Sequence, residues 1–101
     1  MIYHMVKARL IYRSKLIYPD GAIREMVIWQ LSEKTPDRPH GLKYRLYYGD
    51  PKGICLMQYD NETGKGDHRH LKGTEEPYNF TTVEKLVADF QQDINKFRGL
   101  S

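Results

Sequence analysis

Two turn sequences, each holding a proline and a glycine, constrain this chain more than any other feature. They are Tyr18-Pro19-Asp20-Gly21 and Asp50-Pro51-Lys52-Gly53, in which proline presets φ and glycine accepts a positive φ. Each turn separates two short segments that are apolar or alternating, which is the pattern of a β-hairpin. The chain is therefore predicted to begin as an antiparallel meander of short strands with short connections.

Four segments around these turns have the composition of strands, and the last three cover residues 22–31, 42–48 and 54–59. The second strand is apolar on both sides around Trp29, so it is expected to be covered on both faces. The first strand alternates with period two, which predicts one buried face and one basic face. Its two sets are Val6, Ala8, Leu10 and Tyr12 on the buried face, and Lys7, Arg9, Ile11, Arg13 and Lys15 on the basic one.

The end of the chain carries a helical pattern. Thr81 followed by Glu84 fits a capping box, and Gly99 fits a C-terminal cap, so a helix is predicted over residues 81–98. We predict an α+β fold, in which an antiparallel β-meander sheet of about five strands packs one C-terminal α-helix on one face. The apolar stripe of that helix consists of Val83, Leu86, Val87, Phe90, Ile94 and Phe97.

The length of 101 residues leaves room for a single domain. Within it, residues 6–59 form the four-stranded meander, and residues 60–71 form a motif loop followed by a short fifth strand. Residues 1–5 are set apart as a non-native or disordered stretch, because Met5 offers a second start. Whether residues 1–4 are native is left open.

Composition excludes several protein classes. No apolar run approaches the ~18 residues that cross a bilayer, so no membrane protein is expected. Cys55 is the single cysteine, which excludes an internal disulfide and favours a cytoplasmic location. A net charge of +3 together with eight tyrosines is a mild indication of nucleic-acid binding.

Residues 59–70 (YDNETGKGDHRH) are dense in ionisable side chains and nearly free of apolar ones. If residues 67–71 are extended, His68 and His70 project from the same face. In-line cleavage of RNA needs a base for the 2′-hydroxyl and an acid for the 5′-oxygen, and histidine serves either purpose near neutral pH. We therefore expect His68 and His70 to form the acid/base pair, with Lys65 and Arg45 stabilising charge on the phosphoryl oxygens.

The expected substrate contacts are side chains that stack on a base or bind phosphate, namely Tyr59, Tyr47, Arg69, Lys7 and Arg9. Two other interpretations of the histidine pair stay open. An H-x-H pattern also fits a polar, solvent-facing edge strand. The two histidines with Asp60 or Asp67 could bind a divalent ion, although the spacing fixes no further ligand and the nearby cations disfavour one. No metal or other cofactor is therefore predicted.

Five segments together resemble the TumE family, the small toxins of type II toxin–antitoxin modules. They are residues 7–15 (KARLIYRSK), the Trp29 strand, residues 43–46 (KYRL), the YDN-x-x-GKGDHRH motif and residues 76–80 (EPYNF). The resemblance runs from Val6 to Phe97, and the motif is its most specific part. It implies a toxin paired with a helix-turn-helix antitoxin encoded beside it, and it makes ribonuclease action an expectation. It supplies no catalytic residues, so the roles above rest on chemistry.

The expected function is thus that of a toxin acting as a metal-independent endoribonuclease, and two alternatives remain. A non-catalytic toxin could hold RNA or a protein by occupancy, with salt-sensitive binding, and a metal-dependent nuclease would use the same histidines. An open sheet edge could also receive an antitoxin segment by strand addition. The expected partners are the antitoxin and RNA. No membrane association is expected, and a homodimer is left open.

Overall fold

The structure, a computed structural model, describes residues 6–62 and 64–100, so the expectation for residues 1–5 falls on residues outside it. Six antiparallel strands form one sheet, in which each strand pairs with its neighbours in sequence, and one helix follows. This confirms the predicted α+β meander with a C-terminal helix and adds a sixth strand. The elements are β1 Ala8–Ile17, β2 Ile23–Leu31, β3 Leu42–Gly49, β4 Cys55–Asp60, β5 His68–Leu71, β6 Thr74–Pro77 and α1 Val83–Phe97.

Both predicted proline turns join the strands as expected. Between β1 and β2, the N–H of Gly21 donates to the carbonyl of Tyr18 at 2.9 Å, and Gly21 has a φ of 92°. Between β3 and β4, the N–H of Gly53 donates to the carbonyl of Asp50 at 3.0 Å. The Asp50 carboxylate also accepts from the N–H of Ile54 at 2.9 Å, which fixes the turn from its side chain.

The sixth strand is formed by a hairpin that the sequence pattern does not indicate. Lys72 and Gly73 have φ values of 47° and 82°, so both central residues are left-handed, as in the tight turns that suit a twisted hairpin. This turn pairs His70 with Glu75 and His68 with Pro77. The strand escapes prediction because Thr74–Pro77 is charged and ends in proline, which is tolerated at a sheet edge.

The N-cap of the helix lies one residue later than predicted. Thr82, and not Thr81, is the N-cap, and its hydroxyl accepts from the N–H of Lys85 at 3.1 Å. At the other end Gly99 has a φ of 75°, and the N–H of Leu100 donates to the carbonyl of Asn95 at 2.7 Å. The N–H of Gly99 also donates to the carbonyl of Lys96 at 3.2 Å. The two bonds form a Schellman motif, which confirms the predicted glycine cap.

The core lies between α1 and one face of the sheet. Leu86, Phe90 and Ile94 of the helix are fully buried there. Their partners on the strands are Met26, Ile28, Tyr44, Leu46, Tyr48, Met57 and Tyr59. The opposite face of the sheet, here called the open face, carries Arg45, Tyr47, Gln58, Asp60, His68 and His70 according to the strand register.

Strand β1 departs from its predicted pattern because of a β-bulge. Leu10 pairs with Trp29 and Tyr12 pairs with Ile28, so Ile11 lies between two register positions. Leu10 and Tyr12 consequently lie on opposite faces, and the predicted basic stripe is divided between the two faces. The prediction of a buried face is also wrong, because α1 does not cover this edge strand and Tyr12 is 40% exposed.

Strand β2 is covered on one face only, which corrects the expectation that both of its faces are buried. Met26 and Ile28 are buried beneath α1, whereas Val27 and Trp29 on the open face are half-buried. Among the described residues no helix is long and apolar enough to cross a membrane.

Candidate active site

The two histidines of the sequence motif lie on the same face of β5, as their spacing predicts. His68 pairs with Asp60 of β4, and His70 pairs with Gln58. On the other side, His70 pairs with Glu75 of β6. The pairing of three strands therefore surrounds the histidines with polar side chains on the open face.

An open cleft of about 450 Å³ lies over these residues, and Lys65 reaches it from the loop before β5. Lys65 is exposed, and its ammonium nitrogen lies 3.9 Å from the carboxylate of Glu62. The cleft thus contains both expected histidines and one of the two expected phosphate-binding cations. Its lining consists of Cys55, Gln58, Asp60, Glu62, Lys65, His68, His70, Gly73 and Glu75.

His68 is held rigidly, because both of its ring nitrogens contact protein acceptors. Its Nδ1 lies 3.0 Å from the carbonyl oxygen of Gly66, which can only accept a hydrogen bond. Its Nε2 lies 2.7 Å from Oδ1 of Asp60 and 3.3 Å from Oε1 of Glu75. The ring is buried, so these contacts fix its orientation.

His70 differs from His68 in being half-buried at the wall of the cleft. Its cross-strand partner Glu75 is about half exposed at the same wall. Directly opposed residues in antiparallel strands have Cβ atoms about 5 Å apart. His70 and Glu75 are therefore two solvent-accessible ionisable side chains that face one small volume.

Arg45 and Tyr47 lie beside the cleft on the same open face. Arg45 pairs with Asp60 in register, and its guanidinium lies 5.2 Å from the centre of the Tyr47 ring. The Tyr47 ring extends over Gly49, where a Cβ atom would clash with the Tyr47 hydroxyl. Burial raises the pKa of the Tyr47 hydroxyl above its ordinary value.

Two of the expected substrate contacts lie on the other face of the sheet. Tyr59 is fully buried against Phe90, and its hydroxyl donates to Asp93 of α1. Arg69 is paired with Glu76 and with Asp93. The structure corrects the expectation for Tyr59, because a ring without exposed surface cannot stack on a base. Arg69 joins β5 and β6 to the helix and does not reach the cleft.

The other two expected contacts, Lys7 and Arg9, lie at the far edge of the sheet. Arg9 donates to the side chain of Gln30 at 3.1 Å, and the backbone of Lys7 bonds to Ser32. Four strand spacings separate β1 from β5, which amounts to roughly 19 Å. The structure therefore does not bring these two cations to the histidines.

A second histidine–aspartate cluster, which the sequence pattern does not indicate, stabilises the fold. Nε2 of His40 lies 3.0 Å from Asp67, and Nδ1 of His40 accepts from the N–H of Leu42 at 3.1 Å. The hydroxyl of Tyr44 also donates to Asp67 at 2.6 Å. Burial, followed by this hydrogen bond, raises the pKa of Tyr44. Since every ring nitrogen has a partner, the cluster ties the loop before β3 to the start of β5.

The geometry does not assemble the ligand set that a metal site at the two histidines would need. Asp67 turns away to bind His40, and Asp60 contacts His68 directly. Within residues 6–62 and 64–100, no three side chains of His, Cys, Asp or Glu are arranged to hold a metal ion.

Glu75 is the cleft residue that sequence reasoning missed altogether. Its signal is the Lys72-Gly73 pair, because a two-residue turn there sets Leu71 against Thr74 and hence His70 against Glu75. Glycine in a short polar stretch is ambiguous on its own, so this register is evident only once the turn is recognised.

Comparison with known proteins agrees with this fold and motif. The family model described as toxin TumE matches residues 7–98, which include all six strands and the helix. No curated protein and no solved structure matches the chain. The match covers nearly the whole chain, and it includes both the cleft on the open face and the core beneath the helix. The chain therefore belongs to the TumE toxin family, whose members are the toxin components of toxin–antitoxin systems.

Proposed function

We propose that this toxin is an endoribonuclease that cleaves RNA in the cleft on the open face, in the cytoplasm, and that a helix-turn-helix antitoxin restrains it. The observation that carries the proposal is that His70, Glu75 and Lys65 line one cleft around the fixed ring of His68. A ribonuclease of this kind needs two proton-transfer groups and a cation near one phosphate. The cleft supplies all three from β5, β6 and the preceding loop.

The proposed reaction is an in-line displacement within the RNA chain. A base takes the proton of the 2′-hydroxyl, the 2′-oxygen bonds to phosphorus, and the bond from phosphorus to the 5′-oxygen breaks. An acid then protonates the departing 5′-oxygen. We assign Glu75 as the base and His70 as the acid, because they face each other and both are accessible. The reaction needs no metal or redox group.

His68 has a positioning role in this mechanism and not the acid/base role expected from its spacing. Its Nε2 contacts both Asp60 and Glu75, so the ring links a buried carboxylate to an accessible one. The contact of Nε2 with Glu75 at 3.3 Å fixes the position of that carboxylate at the wall of the cleft. Replacing His68 should therefore free the Glu75 side chain from its position opposite His70.

Lys65 is the proposed phosphate-binding group. It lies between Gly64 and Gly66, whose φ values are 84° and 71°, and its side chain is 56% exposed. Its ammonium can thus approach a phosphate above the cleft, where it would stabilise the charge that develops on the phosphoryl oxygens.

The open face offers a path by which single-stranded RNA could reach the cleft. Arg45 lies over Tyr47, and Lys43 lies 5.3 Å from the centre of the Trp29 ring. Aromatic rings accept stacked bases and the cations bind phosphates, without a requirement for a particular sequence. Arg45 therefore keeps its expected role as a phosphate contact, although it lies beside the cleft and not within it.

Cleavage of single-stranded RNA by the purified chain in EDTA tests the proposal. His70→Ala and Glu75→Gln should each lower the rate by about 100-fold or more, which is typical for loss of a proton-transfer group. Lys65→Ala should also lower the rate, whereas Lys52→Ala is its matched control, since Lys52 also precedes a turn glycine and lies outside the cleft. Full activity of both His70→Ala and Glu75→Gln would contradict the mechanism. Absence of cleavage by the unaltered chain would contradict the activity.

Occupancy without cleavage is the second candidate function, and a specific observation favours it. The cleft contains three carboxylates, those of Asp60, Glu62 and Glu75. The cation–aromatic pairs lie outside it on the open face. RNA held by those pairs would remain intact, and its affinity would fall steeply with salt. Salt-sensitive binding of intact RNA, unaffected by His70→Ala and weakened by Lys43→Ala, would favour this candidate.

A further inference from the structure

Strand β1 is an unusually apolar edge of the sheet. It is ten residues long, and within residues 6–62 and 64–100 it pairs with β2 only. Its backbone groups on the outer side are therefore open to a further strand. Five large apolar side chains along it are 40–63% exposed: Leu10, Ile11, Tyr12, Leu16 and Ile17.

On the helix side of the sheet, apolar side chains are buried on β2 but exposed on the neighbouring strand β1. Tyr12 pairs with Ile28, yet Tyr12 is 40% exposed while Ile28 has no exposed surface. Leu16 is likewise 40% exposed beside Arg24, whose guanidinium bonds to Gln91 of α1. The helix thus covers the sheet as far as β2 and leaves the apolar side chains of β1 without cover. A further strand beside β1 would bury Tyr12 and Leu16.

The charge of this edge indicates which kind of strand it accepts. Lys7, Arg9, Arg13 and Lys15 are all cationic, and the first acidic residue of the described chain is Asp20. A second copy paired β1 to β1 would bring these like charges together, which is destabilising across strands. An acidic segment would instead gain opposite-charge pairs. The edge therefore disfavours its own copies and favours an acidic partner.

Protection against aggregation accounts for only part of this surface. Lysine, arginine and a bulge on an edge strand deter unwanted pairing. They do not account for five exposed apolar side chains on the same strand. Such side chains favour association, because a partner that pairs with the edge would bury them. The combination of open backbone, apolar side chains and one sign of charge fits a strand with a specific partner.

We propose that β1 binds an extended acidic segment of the antitoxin by strand addition, along residues 12–17 beyond the bulge. The register puts Tyr12 and Leu16 on the helix side and Arg13 and Lys15 on the open face. The bound segment then alternates, with apolar residues against Tyr12 and Leu16 and acidic residues against the two cations. This inference rests on the antitoxin partner that the family implies, and it is independent of ribonuclease activity.

Hydrogen exchange of the full chain, alone and in its complex with the antitoxin, tests strand addition directly. The amides of residues 12–17 that point outward should exchange at least about tenfold more slowly in the complex, because strand pairing protects them. Unchanged exchange along residues 12–17 in a stable complex would overturn the proposal, whether or not the toxin cleaves RNA.

Matched variants test the side chains. Tyr12→Asp and Leu16→Asp should each weaken antitoxin affinity by about tenfold or more, since each removes a buried apolar contact and adds a like charge. Ile54→Asp, at an apolar position 58% exposed outside β1, should leave it unchanged. Lys15→Glu should weaken binding more than Lys52→Glu, and the difference should shrink at high salt. Equal affinities within each pair, or a dimer of the free chain that uses β1, would overturn the proposal.

Discussion

Three consecutive residues of the sequence motif serve three different parts of the molecule. Tyr59 enters the core, Asp60 turns to His68 on the open face, and Asn61 binds the backbone of a neighbouring strand. The Asn61 side chain accepts from the N–H of Tyr44 at 3.0 Å and donates to the carbonyl of Leu42 at 2.8 Å. Asn61 thus continues the ladder between β3 and β4 with side-chain atoms after β4 has ended.

Asn61→Ala should lower the free energy of unfolding by about 2–4 kcal/mol, because two backbone groups would lose their partners in a buried place. Urea unfolding followed by circular dichroism measures this change. Asn95→Ala is a suitable control, since the Asn95 side chain bonds only to the Gln91 side chain among the described hydrogen bonds. A loss below about 1 kcal/mol for Asn61→Ala would show that water replaces the amide.

At the scale of elements, turn residues and helical periodicity carry most of the predictive information. The two proline turns and the stripe of α1 specify four strands and the helix, because their signals are local in sequence. The bulge at Ile11 is marked only by one apolar residue within the basic set of the alternation, which does not by itself specify a bulge. The sixth strand was missed because lysine seldom occupies the left-handed region that Lys72 adopts.

The N-cap offers a prediction with a control at the adjacent residue. Thr82→Ala should lower the free energy of unfolding by about 1 kcal/mol, because its hydroxyl satisfies the N–H of Lys85. Thr81→Ala should change it by less than about 0.5 kcal/mol, since Thr81 is exposed and lies before the cap. Urea unfolding measures the free energy of unfolding of both variants. Equal decreases for the two variants would contradict the assignment of the N-cap to Thr82.

The candidate site was predictable in part, for a physical reason. Period two puts His68 and His70 on one face of any extended segment, whatever its neighbours. The protein acceptors around His68 could not be foreseen, because Asp60 and Glu75 reach it only through the pairing of three strands. That pairing surrounds one histidine with protein acceptors and leaves the other accessible. The local sequence thus determines the face on which a side chain lies, whereas strand pairing determines which residues surround it.

At the scale of the whole molecule, tyrosine–aspartate pairs connect the layers. Tyr59 donates to Asp93 of α1, and Tyr78 donates to Asp89 of α1 at 2.7 Å. The third pair joins Tyr44 to Asp67 at the start of β5. Burial is the largest cause that raises the pKa of each of these tyrosines, and the neighbouring carboxylate adds to it. The hydroxyls therefore stay protonated in the folded chain when exposed tyrosines ionise.

This arrangement predicts alkaline unfolding. In the unfolded chain these tyrosines ionise near pH 10, and their pKa is higher in the folded state. The folded chain then binds more protons above about pH 10, so its stability is fully present below that pH and falls as pH rises further. Absorbance at about 295 nm, which reports tyrosinate, should rise together with the loss of circular dichroism.

Tyr78→Phe should make the alkaline loss of stability less steep, because one raised pKa is removed. Tyr12→Phe on the exposed β1 is the matched control and should leave the pH dependence unchanged. If tyrosinate absorbance reached its full value while the circular dichroism remained native, the three hydroxyls would not be coupled to folding.

The order of elements in the chain has a consequence for biosynthesis. The cover of the sheet is made last, since α1 follows all six strands. From Asp60, which ends β4, to Phe97, translation at about 5–20 residues per second takes roughly two to seven seconds. Hairpins form within about 10 microseconds, so the early strands can pair long before the helix exists. During that interval the apolar face of the nascent toxin is bare, which exposes it to aggregation until the helix is made.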